Sequence, residues 1–142
     1  MKKTNRQIVY ETAWQYALDK SLEWLDVEPG DYDGSQKCQH IARHRLEFDD
    51  DITKIALVFS FVPKSGVNIH FINWNKKLGK YIDHTLGYLS QRNTYVLLEE
   101  WFLEDIKDTN MNQLLKDKKE EWMIKLFGKD WNKQFKEINK VI

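Results

Sequence analysis

Cysteine, proline and glycine are scarce in this chain. Among 142 residues there are one cysteine, Cys38, two prolines and six glycines. A single cysteine excludes a disulfide within the chain and suits a reducing compartment. No repeat, linker or low-complexity tract interrupts the sequence. We therefore expect residues 1–142 to form a single domain.

An excess of charge of either sign is also missing. Lys plus Arg and Asp plus Glu both number 22, so no overall field attracts nucleic acid or an anionic membrane. No run approaches the roughly 18 apolar residues of a membrane span, and the basic start leads into no signal-like apolar region. We expect a cytoplasmic protein without a membrane partner. Six Trp, six Tyr and seven Phe provide a large apolar surface for a core or an interface.

The central part of the chain alternates apolar and polar residues with a period of two. This pattern predicts strands over residues 38–48, 54–62 and 67–74, with turns at Asp49–Asp51 and Pro63–Gly66. Strands joined by such short turns pair antiparallel. We predict an α+β fold in which a three-stranded antiparallel β-meander packs against an N-terminal helix and three to four C-terminal helices.

Before the meander, residues 5–25 have the pattern of an amphipathic helix. Thr4 and Gln7 have the spacing of a capping box, and apolar residues follow at helical intervals. Residues 26–37 contain Pro29 and two glycines among acidic residues, which predicts a loop.

After the meander, four more helices are predicted. Residues 78–89 carry leucine and isoleucine at helical spacing, and residues 94–106 are apolar on nearly every side. For 94–106 the acidic residues favour a buried helix, and a strand is the alternative. Asn110 is the predicted N-cap of a third helix that Gly128 ends, and a last helix begins at Asp130.

The meander sorts side chains onto two faces. We expect seven residues of the second and third strands to face the core: Ile55, Leu57, Phe59, Phe61, Val67, Ile69 and Phe71. The opposite face would display cationic, polar and aromatic groups. Trp and Arg dominate the energetics of protein interfaces. This face is therefore the predicted partner-binding surface, with Arg43, Arg45, Asn68, His70 and Trp74 as its contact residues.

The only cysteine is close in sequence to two histidines, His40 and His44. On a strand these two would share a face with Cys38, and a fourth ligand from His70 or His84 could complete a tetrahedral zinc site. The spacing is not that of a known zinc motif, and the alternation directs His70 away from His40 and His44. The prediction is therefore that the chain binds no metal and no other cofactor.

Lys76, Lys77 and Lys80 cluster where the helix after the meander is predicted to begin. The order of helix, three antiparallel strands and helix, together with these lysines, resembles the double-stranded RNA-binding domain over about half of the chain. The resemblance implies that the helix N-terminus and its lysines would bind phosphates across a groove. Nucleic acid is accordingly an alternative partner.

Known catalytic motifs are missing from the sequence. There is no glycine-rich phosphate loop, nucleophile elbow or zincin pair. Cys38 beside two histidines has the composition of a nucleophile with a base, but a thiol that alternates into a core is usually inert.

From these observations we predict a small non-enzymatic binding or inhibitory protein of the immunity or anti-defence type. It would block a protein partner sterically, with Trp74 as the buried anchor. The alternatives are a nucleic-acid-binding domain that uses the lysine cluster and a metal-dependent hydrolase built on Cys38, His40 and His44. Whether the chain forms a homodimer is left open.

Overall fold

The computed structural model describes residues 2–142 and contains one mixed sheet flanked by helices. The strands are β1 (Trp24–Leu25), β2 (Val27–Pro29), β3 (Ile52–Val62), β4 (Gly66–Asn75), β5 (Lys80–Asp83) and β6 (Thr94–Trp101). The α-helices are α1 (Asn5–Asp19), α2 (Cys38–Phe48), α3 (Leu103–Ile106), α4 (Met111–Phe127) and α5 (Trp131–Gln134). Two 3₁₀ helices cover Gly87–Arg92 and Ile138–Lys140. No helix in the described residues is both long enough and apolar enough to cross a membrane.

The two shortest strands determine the shape of the sheet. The strand order is β1-β6-β3-β4-β5-β2, so β1 and β2 lie at opposite edges. Only Asp26 separates them in the chain, yet β1 pairs antiparallel with β6 and β2 pairs parallel with β5. The two edges must therefore approach each other, and the sheet curls into a nearly closed barrel. Curling of this kind covers strand edges that would otherwise be unpaired.

The sheet has two buried faces rather than one. Its inner face holds a small apolar cluster formed by Ala56, Val58, Ile72 and Tyr95. Helices α1, α2 and α4 cover the outer face and form the main core with it. The seven residues predicted to face the core are all in this main core, which confirms the prediction.

The α+β class is confirmed, but the three-stranded meander is wrong. Its second and third strands are present as β3 and β4, paired antiparallel with Ile55 opposite Asn73 and Phe59 opposite Ile69. These two strands belong to a sheet of six. The predicted first strand is the helix α2.

A coincidence of periods explains the error over α2. Cys38, Ala42 and Leu46 are four residues apart, so they share a face both on a strand and on a helix. All three are buried against the sheet. Arg43 and Glu47 form an ion pair at i and i+4, with N–O 2.7 Å, that only a helix brings together.

The helices predicted over 78–89 and 94–106 are also largely wrong. Gly79 and Gly87 adopt φ of +63° and +52°, and a residue in this left-handed region ends or excludes a regular helix. A turn, β5 and a 3₁₀ helix occupy the first segment. The second is the strand β6 followed by the short helix α3, because apolarity on every side is equally the pattern of a strand buried on both faces.

Helix ends with capping chemistry were predicted well. The Thr4 side chain accepts the N–H of Gln7, and Asn110 accepts the N–H of Gln113 at the start of α4. Gly128, at φ +89°, follows the last residue of α4 as predicted. In contrast, α1 ends at Asp19, not at residue 25. The helix predicted from Asp130 is reduced to α5 and a 3₁₀ turn.

Candidate active site

The single cysteine is the first residue of α2. Cys38 is 6% exposed and packs at the edge of the main core. The N-terminus of a helix carries a partial positive charge, which favours a thiolate over a thiol. Lys37 is the N-cap of α2, and its side chain forms no hydrogen bond to the helix. The local structure therefore places a thiol where ionisation is favoured.

His70 lies on β4 beside this thiol. The pairing of β4 with β5 is confined to the C-terminal part of β4, at Asn73, Trp74 and Asn75. His70 is beyond the end of that pairing, and α2 packs against β4 there. Its ring contacts Asp83 and lines the same cleft as Cys38, close enough for the charges of His70 and Cys38 to shift each other's pKa. The Nε2 atom is 2.8 Å from Oδ2 of Asp83, so Nδ1 takes no part in that bond. The Cys38 thiol donates to the side-chain oxygen of Gln39 at 3.8 Å.

Asp83 is the last residue of β5 and has no exposed surface. Oδ2 accepts the hydroxyl of Tyr95 at 2.6 Å as well as the bond from His70. Oδ1 accepts the backbone N–H groups of Thr85 and Leu86, both at 2.9 Å. A buried carboxylate with this many donors is held in its ionised form and in one orientation. His70, Asp83 and Tyr95 therefore form one buried hydrogen-bonded chain, and Cys38 lines the cleft beside its His70 end.

The charges in this chain reinforce each other. Burial raises the pKa of the Cys38 thiol, but His70 and the backbone N–H of Phe71 together lower it by more, so the net shift is downward. Burial lowers the pKa of His70, but Asp83 and Cys38 together hold it well above its usual range. Burial also raises the pKa of Asp83, and His70 and the other donors bring it down to about 2. These directions favour a thiolate–imidazolium pair supported by a carboxylate.

A cleft of 390 Å³ opens at the His70 end of this chain. Its lining combines the two reactive groups with polar, apolar and cationic side chains: Gln36, Cys38, Ser60, Asn68, Ile69, His70, Thr85, Leu86, Leu115 and Lys119. The thiol is therefore buried by its neighbours but lies at the wall of a space that a small molecule or a chain end could enter.

The predicted partner-binding residues do not share one face. Arg43 and Arg45 are on α2, where Arg43 donates to the carbonyl oxygens of Ile106 and Lys107 and Arg45 pairs with Asp31. Asn68, His70 and Trp74 are on β4. Asn68 and His70 line the cleft, whereas the Trp74 ring packs edge-on against the ring of Tyr81.

The lysine cluster does not begin a helix. Lys76 and Lys77 lie in the turn after β4, and Lys80 is the first residue of β5. Lys80 forms an ion pair of 2.6 Å with Glu28. Because no helix begins here, the helix dipole that the resemblance implied at these lysines is missing.

The proposed zinc ligands are also separated. His40 Nε2 contacts Oδ1 of Asn112 at 2.8 Å, and His44 packs against Phe48 on the exposed side of α2. Cys38 faces the opposite way, toward His70. Within residues 2–142 no three His, Cys, Asp or Glu side chains are grouped as metal ligands.

Sequence reasoning missed Asp83 and Tyr95 and considered Cys38 and His70 together only as metal ligands. Two signals were available. His70 and Asp83 are polar residues next to apolar strand positions, where a buried group needs a partner. Cys38 begins a segment whose period of four also fits a helix.

Comparison of the chain with family models, with curated proteins and with solved structures gives no match. The chemistry of the site therefore rests on its geometry alone.

Proposed function

We propose that this protein is a thiol-dependent acyl-transfer enzyme. Cys38 is the nucleophile, His70 is the general acid and base, and Asp83 is the positioning residue that orients His70. The observation that carries the proposal is the buried His70–Asp83 pair, which lies with Cys38 at the wall of one cleft. Nucleophile, base and orienting carboxylate in this order are the arrangement that activates a cysteine.

The proposed reaction has two steps. In the first, the Cys38 thiolate attacks the carbonyl carbon of an ester or amide, and the carbonyl oxygen becomes an oxyanion. His70 gives a proton to the leaving oxygen or nitrogen as its bond to carbon breaks, which leaves a thioester. In the second, His70 takes a proton from water as the water attacks the thioester. The acid is released and the thiolate is restored.

Two donors are suited to the oxyanion. Cys38 is the first residue of α2, and the first N–H groups of a helix have no partner within it. Gln36, two residues earlier, lines the cleft with φ of +61°. A residue other than glycine in this region is strained, and such strain is concentrated at functional sites. We assign its side-chain amide as the second donor, because Gln36 lines the same cleft as the thiol.

The test uses the activated ester p-nitrophenyl acetate. We expect a burst of p-nitrophenolate and one acetyl group on Cys38, located by intact-mass and peptide mass spectrometry. Cys38→Ala should abolish both. His70→Gln should slow acetylation at neutral pH by on the order of 10²-fold, because the thiolate loses its cationic partner.

His44→Gln is the matched control, because this exposed histidine is on the same helix but outside the cleft. It should acetylate at the wild-type rate. The proposal is wrong if Cys38→Ala still gives the burst, or if His70→Gln reacts as fast as the wild type.

The binding and nucleic-acid functions predicted from the sequence stay predictions. The binding surface required Arg43, Arg45 and Trp74 to be presented together, and these side chains instead contact different parts of the fold. The geometry favours thiol chemistry over both alternatives.

A further inference from the structure

Lys119 is the feature of the cleft that the proposed chemistry does not use. It is on α4, is half-buried, and lines the same wall as Cys38 and His70. Its Nζ donates to Oδ1 of Asn139 at 3.1 Å. The neighbouring Lys118 contacts the carboxylates of two glutamates, at 2.8 and 3.0 Å. Within residues 2–142, by contrast, no carboxylate lies at ion-pair distance from Lys119.

The acids near the cleft are already occupied. Asp83 accepts four hydrogen bonds, one of them from His70. The charge of Cys38 acts on both His70 and Lys119. Burial lowers the pKa of Lys119, while the charge of Cys38 raises it. When Cys38 is acylated its negative charge is lost, and the half-buried ammonium group of Lys119 is then left without an opposite charge unless a ligand supplies one.

The number and kind of cationic side chains in the cleft indicate which anion would fit. Among residues 2–142, Lys119 is the single lysine that lines the cleft, and no arginine lines it. A phosphate carries up to two charges and is usually bound by several donors or by the planar fork of arginine. A single carboxylate matches a single ammonium group.

We infer that Lys119 selects acyl substrates that carry a carboxylate close to the carbonyl carbon attacked by Cys38. This inference rests on the proposed acyl-transfer function. It defines the substrate class as short anionic acyl compounds, such as the acylated end of an amino acid or peptide with a free carboxyl group.

A first experiment compares alkylation by iodoacetate and by iodoacetamide. With both reagents the Cys38 thiolate attacks the methylene carbon, the sulfur–carbon bond forms, and iodide leaves with the electron pair of the carbon–iodine bond. The reagents differ in the charge of the group beside that carbon. The ratio of the two rates therefore measures how strongly the cleft favours a carboxylate.

We expect the ratio of the iodoacetate rate to the iodoacetamide rate to fall by about fivefold or more in Lys119→Gln. Lys119→Arg should retain most of the ratio. Lys116→Gln, an exposed lysine on the same helix, is the control and should leave the ratio unchanged. An equal ratio in the wild type and Lys119→Gln overturns the inference.

A second experiment separates the inference from the reactivity of the thiol. Cys38→Ala is titrated with N-acetylglycine and with the neutral N-acetylglycinamide, and the NMR shifts of the cleft residues are followed. We expect the acid to bind more tightly than the amide and to lose that advantage when Lys119→Gln is added. Equal binding of acid and amide overturns the inference.

The two experiments distinguish the two proposals. If iodoacetamide alkylates Cys38 rapidly but Lys119→Gln does not change the ratio, the selection by Lys119 fails and the proposed function stands. If Cys38 reacts with neither reagent while N-acetylglycine binds through Lys119, the proposed function fails and the carboxylate site stands.

Discussion

At the scale of single residues, Asp83 shows how a charge is kept inside this protein. Its carboxylate has no exposed surface, and an isolated buried carboxylate would be protonated or would destabilise the fold. Two backbone N–H groups, the Tyr95 hydroxyl and the His70 ring satisfy it instead. The same bonds fix the His70 ring at the cleft that Cys38 lines, so the residue that stabilises the fold also orients the proposed base.

The pH dependence of stability should report this carboxylate. The pKa of Asp83 is lowered from 3.8 to about 2, so the folded protein binds this proton less readily than the unfolded chain does. The stabilisation is present above about pH 4 and is lost as the pH falls toward about 2. It amounts to about 2 kcal/mol of unfolding free energy. Urea unfolding of the wild type and Asp83→Asn across this range measures it.

Asp83→Asn should be less stable at neutral pH and should lose less free energy on acidification than the wild type. Asp50→Asn, on the exposed turn before β3, is the control and should follow the wild type. If the unfolding free energies of the wild type and Asp83→Asn fall in parallel as the pH is lowered, Asp83 titrates normally.

At the scale of elements, two glycines set the path of the chain after β4. Gly79 at φ +63° closes the turn into β5, and a Cβ added there would meet nothing within 4 Å. Gly87 at φ +52° begins the 3₁₀ helix against the loop that carries Tyr32, and an added Cβ would lie 2.8 Å from the Tyr32 backbone nitrogen. The first position therefore needs only the glycine conformation, whereas the second also needs the space.

Alanine at these two glycines separates conformation from space. Gly79→Ala should lower the unfolding free energy by about 1 kcal/mol, the usual cost of a left-handed residue with a side chain. Gly87→Ala should cost more, about 2 to 3 kcal/mol, because the backbone at Tyr32 must also move. Chemical denaturation of both variants gives the comparison. Equal losses of unfolding free energy would mean that the loop at Tyr32 moves aside at no cost in free energy.

At the scale of the whole molecule, the segment from β1 to β2 joins the two edges of the sheet. Side chains complete the closure: Tyr81 on β5 donates to Glu100 on β6, and Lys54 on β3 pairs with the same carboxylate at 2.5 Å. The Trp74 ring packs edge-on against Tyr81, and the ammonium of Lys54 lies over it. Trp74 is therefore part of the group of side chains that links β5, β3 and β6.

Trp74→Ala tests this role against the partner-binding role predicted from the sequence. We expect the unfolding free energy to fall by about 2 to 3 kcal/mol, because a half-buried aromatic ring leaves its contacts. Leu78→Ala, at a side chain that is 58% exposed, should change it by less than about 0.5 kcal/mol. Thermal and urea unfolding give both values. An unchanged melting temperature for Trp74→Ala would support an exposed anchor for a partner instead.

Local chemistry was enough to predict several elements. The capped start of α1, the whole of α4 and the β3–β4 hairpin were predicted from cap residues, turn residues and alternation. The identity of α2 could not be decided locally, because a period of four fits both a strand and a helix. The candidate site was missed for the same reason: a strand at 38–48 buries the thiol, whereas the helix brings it to a cleft.

The sequence by itself determined the α+β class, the apolar set of the outer core and the helix caps, because each depends on residues that are neighbours along the chain. Only the tertiary structure decided the closure of the sheet and the meeting of Cys38, His70 and Asp83. His70 and Asp83 are 13 positions apart in the sequence, and Cys38 and His70 are 32 apart. Their meeting depends on strand pairing and on the packing of α2 against β4, which no local pattern encodes.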